Sequence, residues 1–140
     1  MKSGINCNEE VNAVYKQLRV DRKIKALIIK INDKTELEVE SQFPVEGFKY
    51  EDFEAAFPSD HGRFAVIDFD YEHPDGRKDF KIVFILWAPI NCKAIQKMKY
   101  STSVNTIVDG LGSVALSIQA DDISDVSYEK IKGKLIDKFK

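Results

Sequence analysis

The stretch WAPINCKAIQKMKYSTS, Trp87 to Ser103, decides how this chain is organised. Just before it, Ile82 to Trp87 is an almost unbroken apolar run rich in β-branched and aromatic residues, the composition of a strand covered on both faces of a sheet. Pro89 ends that strand. From there no proline or glycine intervenes until Gly110, so a helix of several turns is expected. On it Lys93, Lys97 and Lys99 alternate with Ile95, Met98 and Tyr100, which predicts a lysine-bearing strip beside a methionine and hydroxyl groups. This strand-proline-helix junction is the expected contact surface of the protein.

Outward from the junction the pattern is regular. Asn6 or Asn8 is placed to cap a first helix running to about Arg19, in which Val11, Val14, Tyr15 and Leu18 recur at helical spacing. Lys25 to Ile31 and Thr35 to Val39 read as strands paired through a turn at Asn32-Asp33-Lys34. Tyr50 to Phe57 reads as a helix closed by Pro58. In a third strand, Phe64 to Tyr71, Phe64, Val66, Asp68 and Asp70 alternate against Ala65, Ile67, Phe69 and Tyr71. A turn at His73-Pro74-Asp75-Gly76 makes the third and fourth strands a projecting hairpin. Gly110 and Gly112 are expected to break the long helix before a fifth strand, Val114 to Gln119. A last helix runs from Ser127 to about Lys138, capped by Ser124 or Ser127. These elements fit a central mixed sheet of five to six strands with helices on both faces, an α+β chain in three α/β/α layers.

Length and composition narrow the function. The 140 residues, 44% of them hydrophobic, suit a single domain spanning 1–140. A net charge of -2 gives no general attraction to nucleic acid, so recognition by charge must be local. No stretch approaches the roughly 18 apolar residues of a membrane span, and the N-terminus lacks a secretory apolar core, so a soluble intracellular protein is expected. The two cysteines, Cys7 and Cys92, have no metal-site spacing and read as ordinary thiols.

Six segments, in order, resemble those of the actin-depolymerising factor (ADF)/cofilin family. They are Ser3-Gly4-Ile5, Tyr50 with Phe53, Asp68-Phe69-Asp70-Tyr71-Glu72, Lys81-Ile82-Val83-Phe84, Trp87-Ala88-Pro89, and Lys97-Met98 followed by Tyr100-Ser101-Thr102-Ser103. The resemblance spans essentially the whole chain and implies the ADF-homology fold. It also implies a non-enzymatic, monomeric protein of the cytoplasmic actin cytoskeleton, with a nuclear share as a further expectation, that binds actin monomers and filaments and promotes depolymerisation and severing. The alternative it leaves is a divergent module, coactosin-like or glia maturation factor-like, that binds filaments or actin-related proteins without efficient severing.

By the same resemblance, Lys97, Met98, Ser101 and Thr102 would line the contact with an actin subunit, joined by Ser3, Gly4, Ile5, Asp122 and Asp125. From the residues alone, Asp122 and Asp125 serve as N-terminal charges for the last helix. Ser3 would be a regulatory phosphorylation site, its dianion acting by repulsion and desolvation. A second, filament-contacting surface would use Arg77, Lys78, Lys81, Lys134 and Lys138, although Asp79 and Phe80 interrupt its basic run. The long helix departs from the family pattern, carrying Ile95, Val104, Asn105, Val108 and Asp109 where many members have cations or a Lys-Asp pair. Weak phosphoinositide binding and a less salt-sensitive encounter with actin are therefore expected.

Catalysis is disfavoured. Asp68 and Asp70 share a strand face, but alternation directs strand acids outward, and no phosphate loop, nucleophile elbow or metalloprotease motif accompanies them. His61 and His73 sit in turn-like sequence, so neither a metal nor a cofactor is expected.

Overall fold

The structure, a computed structural model, describes residues 9–32, 36–111 and 114–139. Helix α1, Glu9–Arg19, buries Val11, Val14, Tyr15 and Leu18 along one stripe, as their spacing predicts. The chain reverses at Arg22, whose φ of 56° is left-handed, and enters β1, Ile24–Ile31. Strand β2, Leu37–Pro44, pairs antiparallel with β1 through two register shifts. It runs beyond the expected end at Val39 because it is an edge strand: it can lack a regular apolar alternation and still be held by its ladder. The expected capping residues Asn6 and Asn8 lie outside the described residues, as do Asp33, Lys34 and Thr35.

Helix α2, Tyr50–Ala55, ends before Phe57, since a residue preceding proline is pushed out of helical backbone. The Phe57 ring instead packs on Trp87, with centroids 5.1 Å apart. Strands β3, Arg63–Glu72, and β4, Lys78–Trp87, pair antiparallel from end to end, whereas β1 meets β3 only at Phe64–Ile67. The hairpin thus extends past its neighbours, closed by Gly76 at φ 93°. Strand β5, Leu116–Ala120, runs parallel to β4, and the parallel pairing requires the crossover that the intervening helices supply. A 3-10 turn, Ile123–Val126, leads into α5, Tyr128–Lys138, which Ser127 caps by accepting the Lys130 N–H.

The sheet order β2-β1-β3-β4-β5 separates two apolar layers. On one face Phe64, Val66 and Phe84 pack with α1, Tyr100 and Ile107; on the other Ala65, Ile67, Phe69 and Val83 pack with Phe53, Ile131 and Leu135. The two alternating sets of β3 fall on opposite faces, as strand geometry requires.

Three expectations are corrected. The long helix is divided into α3, Ala94–Thr102, and α4, Val104–Leu111. At the division Ser101, Thr102 and Ser103 all turn their hydroxyls back onto carbonyls of the preceding turn, accepted by Lys97, Met98 and Lys99 at 2.7–2.8 Å, an arrangement that bends helices. Gly110 does not break α4, which continues to Leu111: the apolar face of α4, with Ile107 and Leu111 buried, outweighs one glycine's cost of about 1 kcal/mol. Asp68 does not face water. It is 3% exposed, because α1 and the turn after it cover that end of β3, and Arg22 meets its Oδ2 at 2.9 Å.

Candidate functional site

Tyr100 fixes how α3 is presented. Its ring packs 4.8 Å from that of Phe64, and its hydroxyl accepts the Ile31 N–H at 2.9 Å. Gly62 lies against the same ring so closely that a Cβ there would stand 2.5 Å from Tyr100 Cδ2, and the Gly62 N–H donates to Gln96 Oε1 at 3.3 Å. At about 100° per residue, Met98 stands about 160° from Tyr100 around the helix, so the inner anchor dictates the outer face. That face holds Ile95, Met98, Ser101 and Thr102, with Lys97 at its border. Met98 is 66% exposed and Ile95 72%. Among the described residues Lys97 forms no ion pair. Ser101 and Thr102 are exposed, their protons committed to the helix and their oxygens free to accept.

The sequence alternated Ile95, Met98 and Tyr100 with the lysines and set Met98 beside the lysine strip; the structure leaves Met98 and Ile95 exposed and buries Tyr100. A helical projection anchored on Tyr100 would have placed the other two outward.

The loop into α3 is tied to the chain after β5: Ala88 N–H donates to the Ala120 carbonyl at 2.9 Å, and Ile90 N–H to that of Asp121 at 3.3 Å. Between them and the end of α2 lies an open cleft of about 540 Å³, floored by Phe57, Trp87 and Pro89 and rimmed by Ile90, Ile123 and Asp122. Asp122 and Asp125, expected as charges ahead of the last helix, also cap the 3-10 turn that precedes it. Asp122 accepts from Ser124 N and Oγ, and Asp125 from Asp121 N and Asp122 N. Lys130 Nζ lies 2.7 Å from Asp125 Oδ1 and, with those amides, holds that carboxyl down to about 2. Ser124 N–H and its hydroxyl likewise lower Asp122. Both side chains stay ionised at neutral pH beside the cleft.

The cations expected on the hairpin and α5 are only partly brought together. Lys81 Nζ stands 4.5 Å over the Phe139 ring, and Lys138 lies over the same ring while donating to the Ala115 carbonyl at 2.6 Å. Arg19, which the sequence reading missed, shares a second cleft with them; its signal was a cation in the last turn of α1. Arg77 is engaged locally by Asp75 at 2.8 Å, and Lys78 and Lys134 are exposed. His73 is buried rather than in an open turn: Asp79 Oδ2 lies 3.0 Å from its Nε2 and accepts the Tyr71 hydroxyl at 3.2 Å. The contact with His73 lowers Asp79, while burial and the hydrogen bond to Asp79 push Tyr71 up to about 12. Ser3, Gly4 and Ile5 lie outside the described residues.

Asp68 and Asp70 do not form a reactive pair. Arg22 holds one and Lys25 the other. Among the described residues no group of three or more His, Cys, Asp or Glu side chains could hold a metal ion. No helix among them is long and apolar enough to cross a membrane.

Comparison with known proteins agrees with this geometry. The family described as "Cofilin/tropomyosin-type actin-binding protein" matches residues 4–136. Cofilin of Mycosarcoma maydis is 33% identical over 135 residues, 96% of each chain. Actophorin of Entamoeba histolytica is 34% identical over 134 residues, 95% of this chain and 96% of that protein. The crystal structure of Streptomyces griseoflavus cofilin superposes with a TM-score of 0.84 at 34% identity, covering 93% of this chain and 96% of that one.

Proposed function

The chain belongs to the cofilin/ADF family of actin-binding proteins, and from that premise we propose that it binds actin monomers and filaments through the outer face of α3 and promotes filament depolymerisation, severing and turnover. The observation that carries this reading is Met98, a large adaptable apolar side chain left 66% exposed beside Lys97 on a helix that Tyr100 holds in place. Apolar centre and cationic border together have the anatomy of an interface. Ionised Asp122 and Asp125 and the segment Ser3-Gly4-Ile5 extend the contact, and phosphorylation of Ser3 would release actin by placing a dianion within it. Arg77, Lys78, Lys81, Lys134 and Lys138 supply the second, filament-facing contact. The chain acts as one monomeric ADF-homology unit in the cytoplasm, with only weak affinity for phosphoinositides.

No chemical step is needed. A protein that binds one filament conformation more tightly than another shifts the population toward it, by as much as the two affinities differ. Time-lapse imaging and co-sedimentation of filaments with the wild type, Lys97→Ala and Ser3→Asp test the proposal. Disassembly by the wild type and weakened binding by both variants are expected. Absence of binding by the wild type would refute the reading, and full activity of Lys97→Ala would remove the site assignment. Binding without severing would instead indicate a coactosin-like or glia maturation factor-like mode.

A further inference from the structure

At one point strand β2 holds a residue more than its partner. Ile28 and Ile29 are adjacent in β1 yet face Ser41 and Val39, so Glu40 is the extra residue of a β-bulge. The bulge changes which face the chain presents: Val39 packs against one apolar layer and Phe43, four residues on, against the other, where unbroken alternation would keep them together. Glu40 also reaches across β1 to Arg63 at the start of β3, and its two carboxylate oxygens accept from Arg63 Nε and Nη2, each at 3.0 Å. Fully exposed ion pairs contribute little, but a bidentate pair whose side chains are only 15% and 29% exposed fixes a geometry.

This fork is attached to the seat of α3. Arg63 Nη1 donates to the Gly62 carbonyl at 2.7 Å, and the Gly62 N–H is the donor to Gln96. A further guanidinium N–H reaches the Tyr100 hydroxyl, whose oxygen has room to accept it together with the Ile31 N–H. Burial raises that hydroxyl above its usual range, and the Ile31 N–H and then Arg63 pull against the rise. Gln96 and Tyr100 stand one turn apart, so two polar anchors on one side of the helix rest on residues 62 and 63.

We propose that Glu40 and Arg63 are positioning residues for actin binding: neither belongs to the outer face of α3, and the pair acts through Gly62 and Tyr100 to hold the helix in the orientation that presents that face. The inference rests on the actin-binding reading above. Charge alone is not enough at position 63, because an ammonium lacks the planar fork that grips both Glu40 oxygens while serving Gly62 and Tyr100.

The test compares affinity for monomeric actin with thermal unfolding in the wild type, Arg63→Leu, Arg63→Lys, Tyr100→Phe and the double variants Glu40→Leu/Arg63→Leu and Arg63→Leu/Tyr100→Phe. Arg63→Leu should weaken binding about fivefold to tenfold, and Arg63→Lys nearly as much, which carries the comparison if Arg63→Leu does not fold. Replacing both partners by apolar residues leaves no unpaired charge, so Glu40→Leu/Arg63→Leu should regain most of the Tm lost by Arg63→Leu while its binding stays weak. In a Tyr100→Phe background, Arg63→Leu should weaken binding by less than about twofold further, since its route through the hydroxyl is already gone. Arg63→Leu and Arg63→Lys both binding within about twofold of the wild type would overturn the positioning role and leave the actin reading standing. A Glu40→Leu/Arg63→Leu variant that regains affinity along with Tm would overturn it too, because the pair would then serve stability alone, as would full additivity with Tyr100→Phe. A wild type that does not bind actin removes both.

Discussion

Replacing Arg22 by methionine would leave the Asp68 carboxylate buried without its partner, and the structure sets the size of the effect. Asp68 is 3% exposed, its Oδ2 is 2.9 Å from Arg22, and among the described residues its Oδ1 has no hydrogen-bond partner. Burial raises the carboxyl above its usual range; Arg22 and then Lys25 pull it back, and Asp70 adds to the rise. Breaking a buried ion pair from one side costs roughly 3–5 kcal/mol. The Arg22 side chain is 43% exposed, so water can partly replace it, and about 2–3 kcal/mol is the expected loss at neutral pH. Methionine keeps a Cβ at the left-handed φ of residue 22, so backbone strain cancels between the two proteins. The guanidinium also stacks 4.0 Å from the Phe80 ring centroid, adding about 0.5–1 kcal/mol that does not depend on the charge of Asp68.

The sign with pH follows from linkage. A folded carboxyl raised above its unfolded value of about 3.9 binds protons more tightly in the folded state, so its stability contribution falls as pH rises from the unfolded value through the folded one. Removing Arg22 raises the folded value further and widens that window upward. The deficit of Arg22→Met should therefore be largest near neutrality and shrink toward the Phe80 contribution near pH 4. Trp87 is the sole tryptophan and is buried, so its fluorescence reports unfolding in urea. With a slope of about 1–3 kcal/mol per molar, the midpoint should drop by about 1–2 M at neutral pH. Adding Asp68→Asn to Arg22→Met should restore most of the loss by removing the buried charge. A deficit equal at both pH values, or a double variant no more stable than the single one, would refute the reasoning.

Other perturbations probe the support of the site. Gly62→Ala drives a Cβ to 2.5 Å from the buried Tyr100 ring, and overpacking of this kind should cost about 1–3 kcal/mol, read as a fall of several degrees in Tm. An unchanged Tm would show that the ring can shift and that α3 is less firmly held than its contacts imply. Asp125→Ala removes the acceptor of two backbone N–H groups ahead of α5 and should cost about 1 kcal/mol at neutral pH. Its folded carboxyl is depressed to about 2, so the stabilisation is complete above the unfolded value of about 3.9 and is lost as pH falls toward 2. Acid titrations of wild type and variant followed by Trp87 fluorescence should therefore converge at low pH.

The spacing of Val11, Val14, Tyr15 and Leu18, the alternation in Phe64 to Tyr71 and the apolar run ending at Trp87 determined the layered architecture, because burial periodicity is written directly in residue order. The same local signals located α3, and the family resemblance singled out Lys97 and Met98 on it. Which way that helix faces was not local information. Ile95, Met98 and Tyr100 are alike in being largely apolar, and only the Phe64 ring and the Ile31 amide, brought from distant strands, select Tyr100 for the interior and leave the other two outside. Asp68 reads as an outward strand acid until the turn at Arg22 folds over it. Asp122 and Asp125 read as charges before a helix until backbone amides of the 3-10 turn converge on them. Periodicity reports how each segment divides between inside and outside; what covers a given side chain depends on contacts between residues far apart in the chain, and tertiary packing alone supplies those.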